Sequence, residues 1–213
     1  MEKKKILLIG DSIRQGYDRY VKEHLQESCA VYYPSENCKF AQYVLRHLGD
    51  WKKSLQLSEE LDLIHWNAGL WDTLELYGDD CLTPPDFYAY FIEKICNRIR
   101  VLFPRAKVIF ATSTPILEER LSKNFCRKNS NTEKYNEIAI EICKSYNFAI
   151  NDLYAVAKKM PAHFYKDATH PYTPDGTRVL TDAVCRSICE SLALPYTPFT
   201  LKNYEEISEV VGI

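Results

Sequence analysis

Five short apolar runs recur along the chain, and stretches of a different periodicity separate them. The first run ends in glycine and is apolar without alternation, which is typical of a strand buried on both faces of a parallel sheet. The pattern predicts strands over residues 5–10, 29–33, 61–66, 107–112 and 147–150.

Between these runs, apolar residues recur at the spacing of one helix face, which predicts helices around residues 40–48, 91–102, 135–146 and 179–192. Ser130 and Glu133 match a capping box before the third helix, and Thr173 with Pro174 matches the start of the fourth. Alternating strands and helices predict an α/β fold, a three-layer α/β/α sandwich with a mainly parallel five-stranded sheet.

The composition fits one domain over residues 1–213, because 213 residues with 46% apolar content can bury one substantial core. We expect residues 193–213 to form a C-terminal tail or an edge-covering extension. Basic residues are dispersed and the formal net charge is -2, which argues against a nucleic acid partner.

Neither a secretion signal nor a membrane span is predicted. The apolar run at residues 6–9 is shorter than the ~7 to 15 residues of a signal peptide core, and no run approaches the ~20 residues of a span. We therefore expect a cytoplasmic protein without a membrane partner.

The eight cysteines are scattered through predicted helices and strands without a Cys-x-x-Cys pair. Cys185 and Cys189 share one predicted helix face, but no histidine or second cysteine pair accompanies them. We predict that most cysteines are core residues, and we predict no bound metal and no cofactor.

Gly10-Asp11-Ser12 lies directly after the first predicted strand and before a predicted helix. Ligands of open parallel sheets bind beyond the carboxyl ends of the strands, so Ser12 is placed where a nucleophile is useful. Taken alone, such a motif is more often a helix cap than a catalytic serine.

Asp167-Ala168-Thr169-His170 lies in a loop before the last predicted helix. A serine hydroxyl needs a base to take its proton, and imidazole suits this role near neutral pH. An aspartate three residues earlier can turn back, orient the ring and stabilise the imidazolium. Together with Ser12, the segment predicts a Ser-His-Asp triad.

Gly-Asp-Ser after the first strand and Asp-x-x-His before the last helix resemble the first and last blocks of the GDSL/SGNH hydrolases. The resemblance spans nearly the whole chain. It implies a flavodoxin-like fold and hydrolysis of acyl esters through an acyl-serine intermediate, with Ser12 as nucleophile, His170 as base and Asp167 as the residue that orients it.

The resemblance also implies an oxyanion hole made by the Ser12 N–H and by donors after the second and third strands. The family's glycine after the second strand is missing from the segment 34–38, so a backbone N–H near Asn37 or Cys38 is the candidate there. After the third strand the candidate is Asn67, which also fits a turn residue that closes the strand.

Candidate substrate contacts are Asp11, Gly69, Trp71 and Asp72, and Tyr172 is a second aromatic residue placed to line a cleft. His65 is predicted to be a packed core residue. His163 is the rival base, but it lacks an acidic residue three positions earlier.

The sequence thus predicts a serine hydrolase for a small-molecule or carbohydrate acyl ester, such as an acetyl ester. An acyltransferase with the same triad differs only in its second acceptor. Two further readings are a non-catalytic relative and a flavodoxin-like binding module, although no glycine-rich phosphate loop is present. The sequence does not fix the oligomeric state.

Overall fold

A computed structural model describes residues 2–206 of the chain, so part of the predicted tail, residues 207–213, lies outside the described residues. The strands in chain order are β1 (Lys4–Ile9), β2 (Cys29–Tyr32), β3 (Leu63–Trp66), β4 (Glu75–Leu76), β5 (Lys107–Ala111), β6 (Phe125–Cys126) and β7 (Ala149–Asn151). The α-helices are α1 (Ser12–Gln15), α2 (Asp18–His24), α3 (Ala41–Ser54), α4 (Pro85–Leu102), α5 (Asn129–Ser145), α6 (Leu153–Ala157) and α7 (Pro174–Leu192).

The central sheet has five strands in the order β2-β1-β3-β5-β7, and every pairing in it is parallel. All five predicted strands are present, with ends that differ from the predicted ones by at most two residues. Because the strands are parallel, their carboxyl ends share one edge, and the loops that follow β1 and β3 meet there.

Side chains alternate across the sheet, and each face is covered by helices. Leu7 and Ile9 of β1 pack into one cluster with residues of α3, α4 and α5. Ile6 and Leu8 pack into the other cluster, which includes residues of α2 and α7. A strand buried on both faces must be apolar throughout, which explains the unbroken run in β1 and confirms the three-layer sandwich.

The two predicted helix starts have different outcomes. Thr173 is the N-cap of α7, where its side chain accepts a hydrogen bond from the Gly176 N–H. The Ser130 capping box is wrong, because α5 already begins at Asn129 after a residue without a side-chain cap. Two hydrogen bonds between the Asn129 side chain and the backbone of Ile116 hold this helix start instead.

Two features were not predicted. The strands β4 and β6 form a small antiparallel ribbon above the sheet edge, and the short helix α6 follows β7.

The described part of the tail runs along α2 and α7: Phe199 packs against Tyr20 and His24, and the Tyr196 hydroxyl donates to Asp182.

Six of the eight cysteines are buried, as predicted for core residues.

Among residues 2–206, no helix has the length and apolar character needed to cross a membrane.

Candidate active site

Ser12 lies at the carboxyl end of β1, where it is the first residue of α1. Asp11 is the N-cap of this helix and accepts a hydrogen bond from the Ile13 N–H at 3.0 Å. The Tyr172 hydroxyl donates to the carbonyl of Ser12, so both sides of the serine backbone are held. Ser12 itself is almost buried, with 5% of its surface exposed.

Glycine is required at position 10 because the chain passes close to Asn67. A Cβ atom on Gly10 would lie 1.9 Å from the side-chain oxygen of Asn67 and 2.8 Å from the Cβ of Arg14. The glycine of Gly-Asp-Ser therefore allows the loops after β1 and β3 to approach each other.

Three predicted residues meet at this edge although 158 positions separate the first from the last. The Nε2 atom of His170 lies 2.9 Å from the Oγ atom of Ser12. The Nδ1 atom of His170 lies 2.8 Å and 3.0 Å from the two carboxylate oxygens of Asp167. This is the arrangement in which a carboxylate fixes the imidazole and the imidazole can accept the serine proton.

The Asp167 loop is pre-formed by its own backbone. One carboxylate oxygen accepts hydrogen bonds from the N–H groups of Thr169 at 2.7 Å and His170 at 2.8 Å. Burial acts to raise the pKa of Asp167, but these bonds and the contact with His170 outweigh it, so the pKa lies below its usual value. Asp167 is thus held in its ionised form beside the imidazole.

The oxyanion-hole candidates after β3 and β2 occupy different environments. The Asn67 side-chain oxygen faces Gly10, and the side chain as a whole favours the ionised form of the neighbouring Asp11. The Asn37 side-chain oxygen accepts from the Lys39 N–H at 2.8 Å, and its amide nitrogen is buried without a partner among residues 2–206. The Cys38 N–H donates to the Gly10 carbonyl at 3.1 Å and is excluded as a donor.

The loop after β2 is organised by Arg14, a residue that the sequence analysis did not single out. Arg14 is 1% exposed and pairs with Asp18, and its guanidinium also donates to the carbonyls of Pro34 and Glu36. These bonds hold the backbone of residues 34–38, a segment without glycine. The loop after β2 is thus fixed by hydrogen bonds from a buried arginine to its backbone carbonyls.

A cavity of about 260 Å³ opens beside the serine, and Ser12, Asp167 and His170 are among its lining residues. Its other lining residues are Leu70, Trp71, Arg120, Leu121, Ser122, Phe125, Arg127, Ala168 and Thr169. Of the four predicted substrate contacts, only Trp71 lines this cavity.

The other predicted contacts are buried in the protein and have structural partners. Asp11 and Asp72 are 0% exposed, and Asp72 accepts from the Ala41 N–H at the start of α3. Gly69 is buried and adopts a φ of +147°, which favours glycine. Tyr172 is also buried, so its observed role is to hold Ser12 rather than to line the cavity.

Several cavity residues come from the segment 113–128, which the sequence analysis left unassigned. Arg120, Ser122 and Arg127 belong to it, and the pairing of β4 with β6 fixes its course. The available signal was position: this long segment follows β5 at the same sheet edge, where loops of parallel sheets carry sites.

The remaining histidine predictions are consistent with the structure. His65 is 0% exposed inside β3, and its Nε2 atom lies 3.1 Å from the Asn151 side-chain amide. His163 is exposed and packs against Phe164, away from the cavity-lining residues.

Comparisons with known proteins identify the fold. No family model and no curated protein matches the sequence. Among solved structures, a lipase/acylhydrolase from Enterococcus faecalis has a TM-score of 0.69 and 20% identity, covering 93% of this chain and 100% of its own. The acetyl xylan esterase AlAXEase has a TM-score of 0.68 and 17% identity, covering 86% and 99%.

A GDSL-like lipase from Bacteroides thetaiotaomicron has a TM-score of 0.65 and 16% identity, covering 88% of this chain and 89% of its own. Each similarity extends over most of both chains, so it concerns the whole sandwich rather than a fragment. The chain therefore has the fold of the GDSL-like lipases and acylhydrolases.

Proposed function

We propose that the protein is a serine esterase that hydrolyses short acyl esters through an acyl-serine intermediate. The observation that carries this proposal is the continuous line of hydrogen-bonding atoms from the Asp167 carboxylate through the His170 ring to the Ser12 hydroxyl. The cavity beside this hydroxyl provides room for an ester.

In the first half of the reaction, the Ser12 oxygen attacks the ester carbonyl while the Nε2 atom of His170 takes its proton. The tetrahedral intermediate collapses when His170 returns this proton to the leaving alcohol. Water then repeats the sequence on the acyl-serine and releases the acid. Asp167 keeps the ring oriented and stabilises the imidazolium in both halves.

The oxyanion requires donors aimed at the developing charge. We assign the backbone N–H of Ser12, which is one of the N–H groups without an acceptor inside its own helix, and the side-chain amide of Asn67. The close approach at Gly10 brings the Asn67 loop beside Ser12. The unpaired amide nitrogen of Asn37 is the candidate third donor.

The substrate is proposed to be small. A cavity of about 260 Å³ lies below the ~300 to 1,000 Å³ of typical drug-sized ligand pockets. Trp71 supplies an apolar wall, which suits a short acyl group or a sugar face. Acetyl esters of carbohydrates meet these requirements, and solved structures with this fold include AlAXEase and Axe2, which are named as acetyl xylan esterases.

A panel of 4-nitrophenyl esters with acyl chains from acetate to hexadecanoate tests both the reaction and the acyl size. We expect kcat/KM to be highest for acetate and to fall with chain length. Ser12→Ala and His170→Ala are expected to lose activity by at least about 10³-fold. Ser122→Ala, which alters another serine of the same cavity, is the matched control and should retain activity.

Equal turnover of acetate and hexadecanoate esters would contradict the size assignment alone. Full activity in Ser12→Ala would contradict the mechanism.

A further inference from the structure

Arg127 is a buried cation whose hydrogen-bonding capacity is mostly unused. Its residue is 5% exposed and lines the cavity next to Ser12. The Nε atom donates to the Leu70 carbonyl at 2.7 Å. Among residues 2–206, the two terminal nitrogens of this guanidinium have no hydrogen-bond partner, and Arg127 takes part in no ion pair.

The position of this guanidinium is fixed by its surroundings. Arg127 directly follows β6, which pairs with β4, so its backbone is anchored in the ribbon. Its guanidinium carbon lies 5.3 Å from the centre of the Phe125 ring, and the bond to Leu70 sets its rotation. A group held in this way does not need to be ordered when a ligand binds.

Most of the Arg127 side chain is buried, and its guanidinium reaches solvent only at the cavity, so a ligand with the opposite charge would be favoured there. Burial lowers the pKa of Arg127 to about 10, and the more distant carboxylates of Asp11 and Asp167 offset this only in part. The side chain still carries its charge at neutral pH. One of these carboxylates, Asp167, is already engaged by His170.

A second arginine adds to the positive charge of the cavity lining. Arg120 lines the cavity, and within residues 2–206 its guanidinium donates only to backbone carbonyls, those of Ala162, Tyr165 and Asp167, at 3.3 to 3.4 Å. Asp167 is the one carboxylate among the cavity-lining residues of the described chain. The charge of the cavity lining therefore favours an anionic ligand.

We propose that the preferred substrate is an ester that carries a carboxylate, and that the two terminal nitrogens of Arg127 bind this carboxylate while Ser12 attacks the ester. The proposal rests on the proposed esterase function and names its substrate class. A planar guanidinium with two free nitrogens matches a carboxylate in a fork-to-fork pair. Arg120, at the more exposed side, attracts the anion into the cavity.

Matched pairs of esters test this substrate class. Mono-(4-nitrophenyl) adipate against 4-nitrophenyl hexanoate places the charge on the acyl side, and its chain is too long for its own carboxylate to close readily on the ester. The compound 4-acetoxybenzoate against its methyl ester places it on the alcohol side. We expect kcat/KM to favour the anionic member of at least one pair by about 10- to 100-fold, the range of a charge-assisted hydrogen bond.

Arg127→Gln should lower the ratio of kcat/KM between the anionic and the neutral member of a pair to about 1. Arg127→Lys keeps the charge without the fork and should keep only part of the preference. Arg105→Gln removes a charge at the opposite edge of the sheet and should leave kcat/KM unchanged for both the anionic and the neutral esters. An equal loss on neutral and anionic esters in Arg127→Gln would instead assign Arg127 to general catalysis and overturn the proposal.

A binding measurement separates failure of this proposal from failure of the esterase function. Succinate and its uncharged analogue succinamide are titrated into Ser12→Ala protein and into Ser12→Ala/Arg127→Gln protein. We expect succinate to bind at least about 10-fold more tightly than succinamide, and only when Arg127 is present. Equal affinities would overturn the anion site even in an active esterase, whereas selective binding without turnover of any ester would overturn the esterase.

Discussion

His65 makes the folded protein sensitive to acid, because its ring is buried where a charge cannot be solvated. The residue lies in the central strand β3 between Leu8 of β1 and Ile109 of β5, and the Tyr17 ring packs edge-on against it. Burial lowers the pKa of His65 from 6.5 to about 3. The folded protein therefore leaves the ring neutral at a pH at which the unfolded chain protonates it.

The size of the effect follows from this difference in pKa. Below pH 6.5, His65 is protonated in the unfolded chain, whereas in the folded protein it stays neutral down to about pH 3. The free energy of unfolding therefore falls as the pH is lowered through this interval. Each pH unit contributes about 1.4 kcal/mol. At pH 5, 1.5 units below the unfolded pKa, the contribution of His65 to destabilisation is about 2 kcal/mol.

The buried Asp72 has the opposite effect, so the stability of the parent protein alone is not informative. Burial raises the pKa of Asp72 from 3.8 to about 7, so the folded state binds a proton more readily than the unfolded chain. Acidification from pH 8 to pH 5 therefore stabilises the protein through Asp72. The useful quantity is the change in the free energy of unfolding between the two pH values, compared between the parent and a His65 variant.

Urea unfolding at pH 8 and pH 5 is the assay, with the parent, His65→Leu and His65→Gln. Between pH 8 and pH 5, the free energy of unfolding of both variants should fall by about 2 kcal/mol less than that of the parent, whatever their stability at pH 8. His163→Gln, which removes an exposed histidine, is the control and should follow the parent. Variants that follow the parent's pH dependence would refute the assignment of acid sensitivity to His65.

Two further predictions concern the supports of the site. Asp167→Asn keeps an oxygen for the loop N–H groups but replaces the carboxylate that holds His170, so kcat should fall by about 10⁴-fold with the melting temperature nearly unchanged; a loss below 10-fold in ester-hydrolysis assays would contradict this. Arg14→Met leaves Asp18 buried and unpaired, and should lower the free energy of unfolding by about 3 to 5 kcal/mol in urea titrations. A loss under 1 kcal/mol there would show that the ion pair is dispensable.

The strands and the main helices were predictable because their burial leaves a direct trace in the sequence. In β1, residues 6–9 are all apolar and pack against helices on both faces, whereas α4 carries its buried residues on one face. The start of α5 was not predictable in this way. It is set by contacts between Asn129 and Ile116, which lie in different segments, and local capping patterns do not contain that information.

The meeting of Ser12 with His170 was predictable because Ser12 follows β1 at the carboxyl edge of the sheet, and the Asp-x-x-His segment before α7 supplies the base that a serine nucleophile needs. The roles of Arg14 and Arg127 were not, since arginine is usually exposed and its sequence context does not tell when it is buried. Asp72 illustrates the reverse error. It was assigned to the substrate, but its carboxylate holds the start of α3 at Ala41.

The esterase proposal depends most directly on whether the Ser12 hydroxyl is an activated nucleophile. Treatment with a fluorophosphonate, followed by peptide mass spectrometry, measures this without a choice of substrate. We predict one covalent adduct, on Ser12, which disappears in Ser12→Ala and in His170→Ala and persists in Ser122→Ala. Folded parent protein without an adduct on Ser12, or with the adduct on Ser122, would contradict the account.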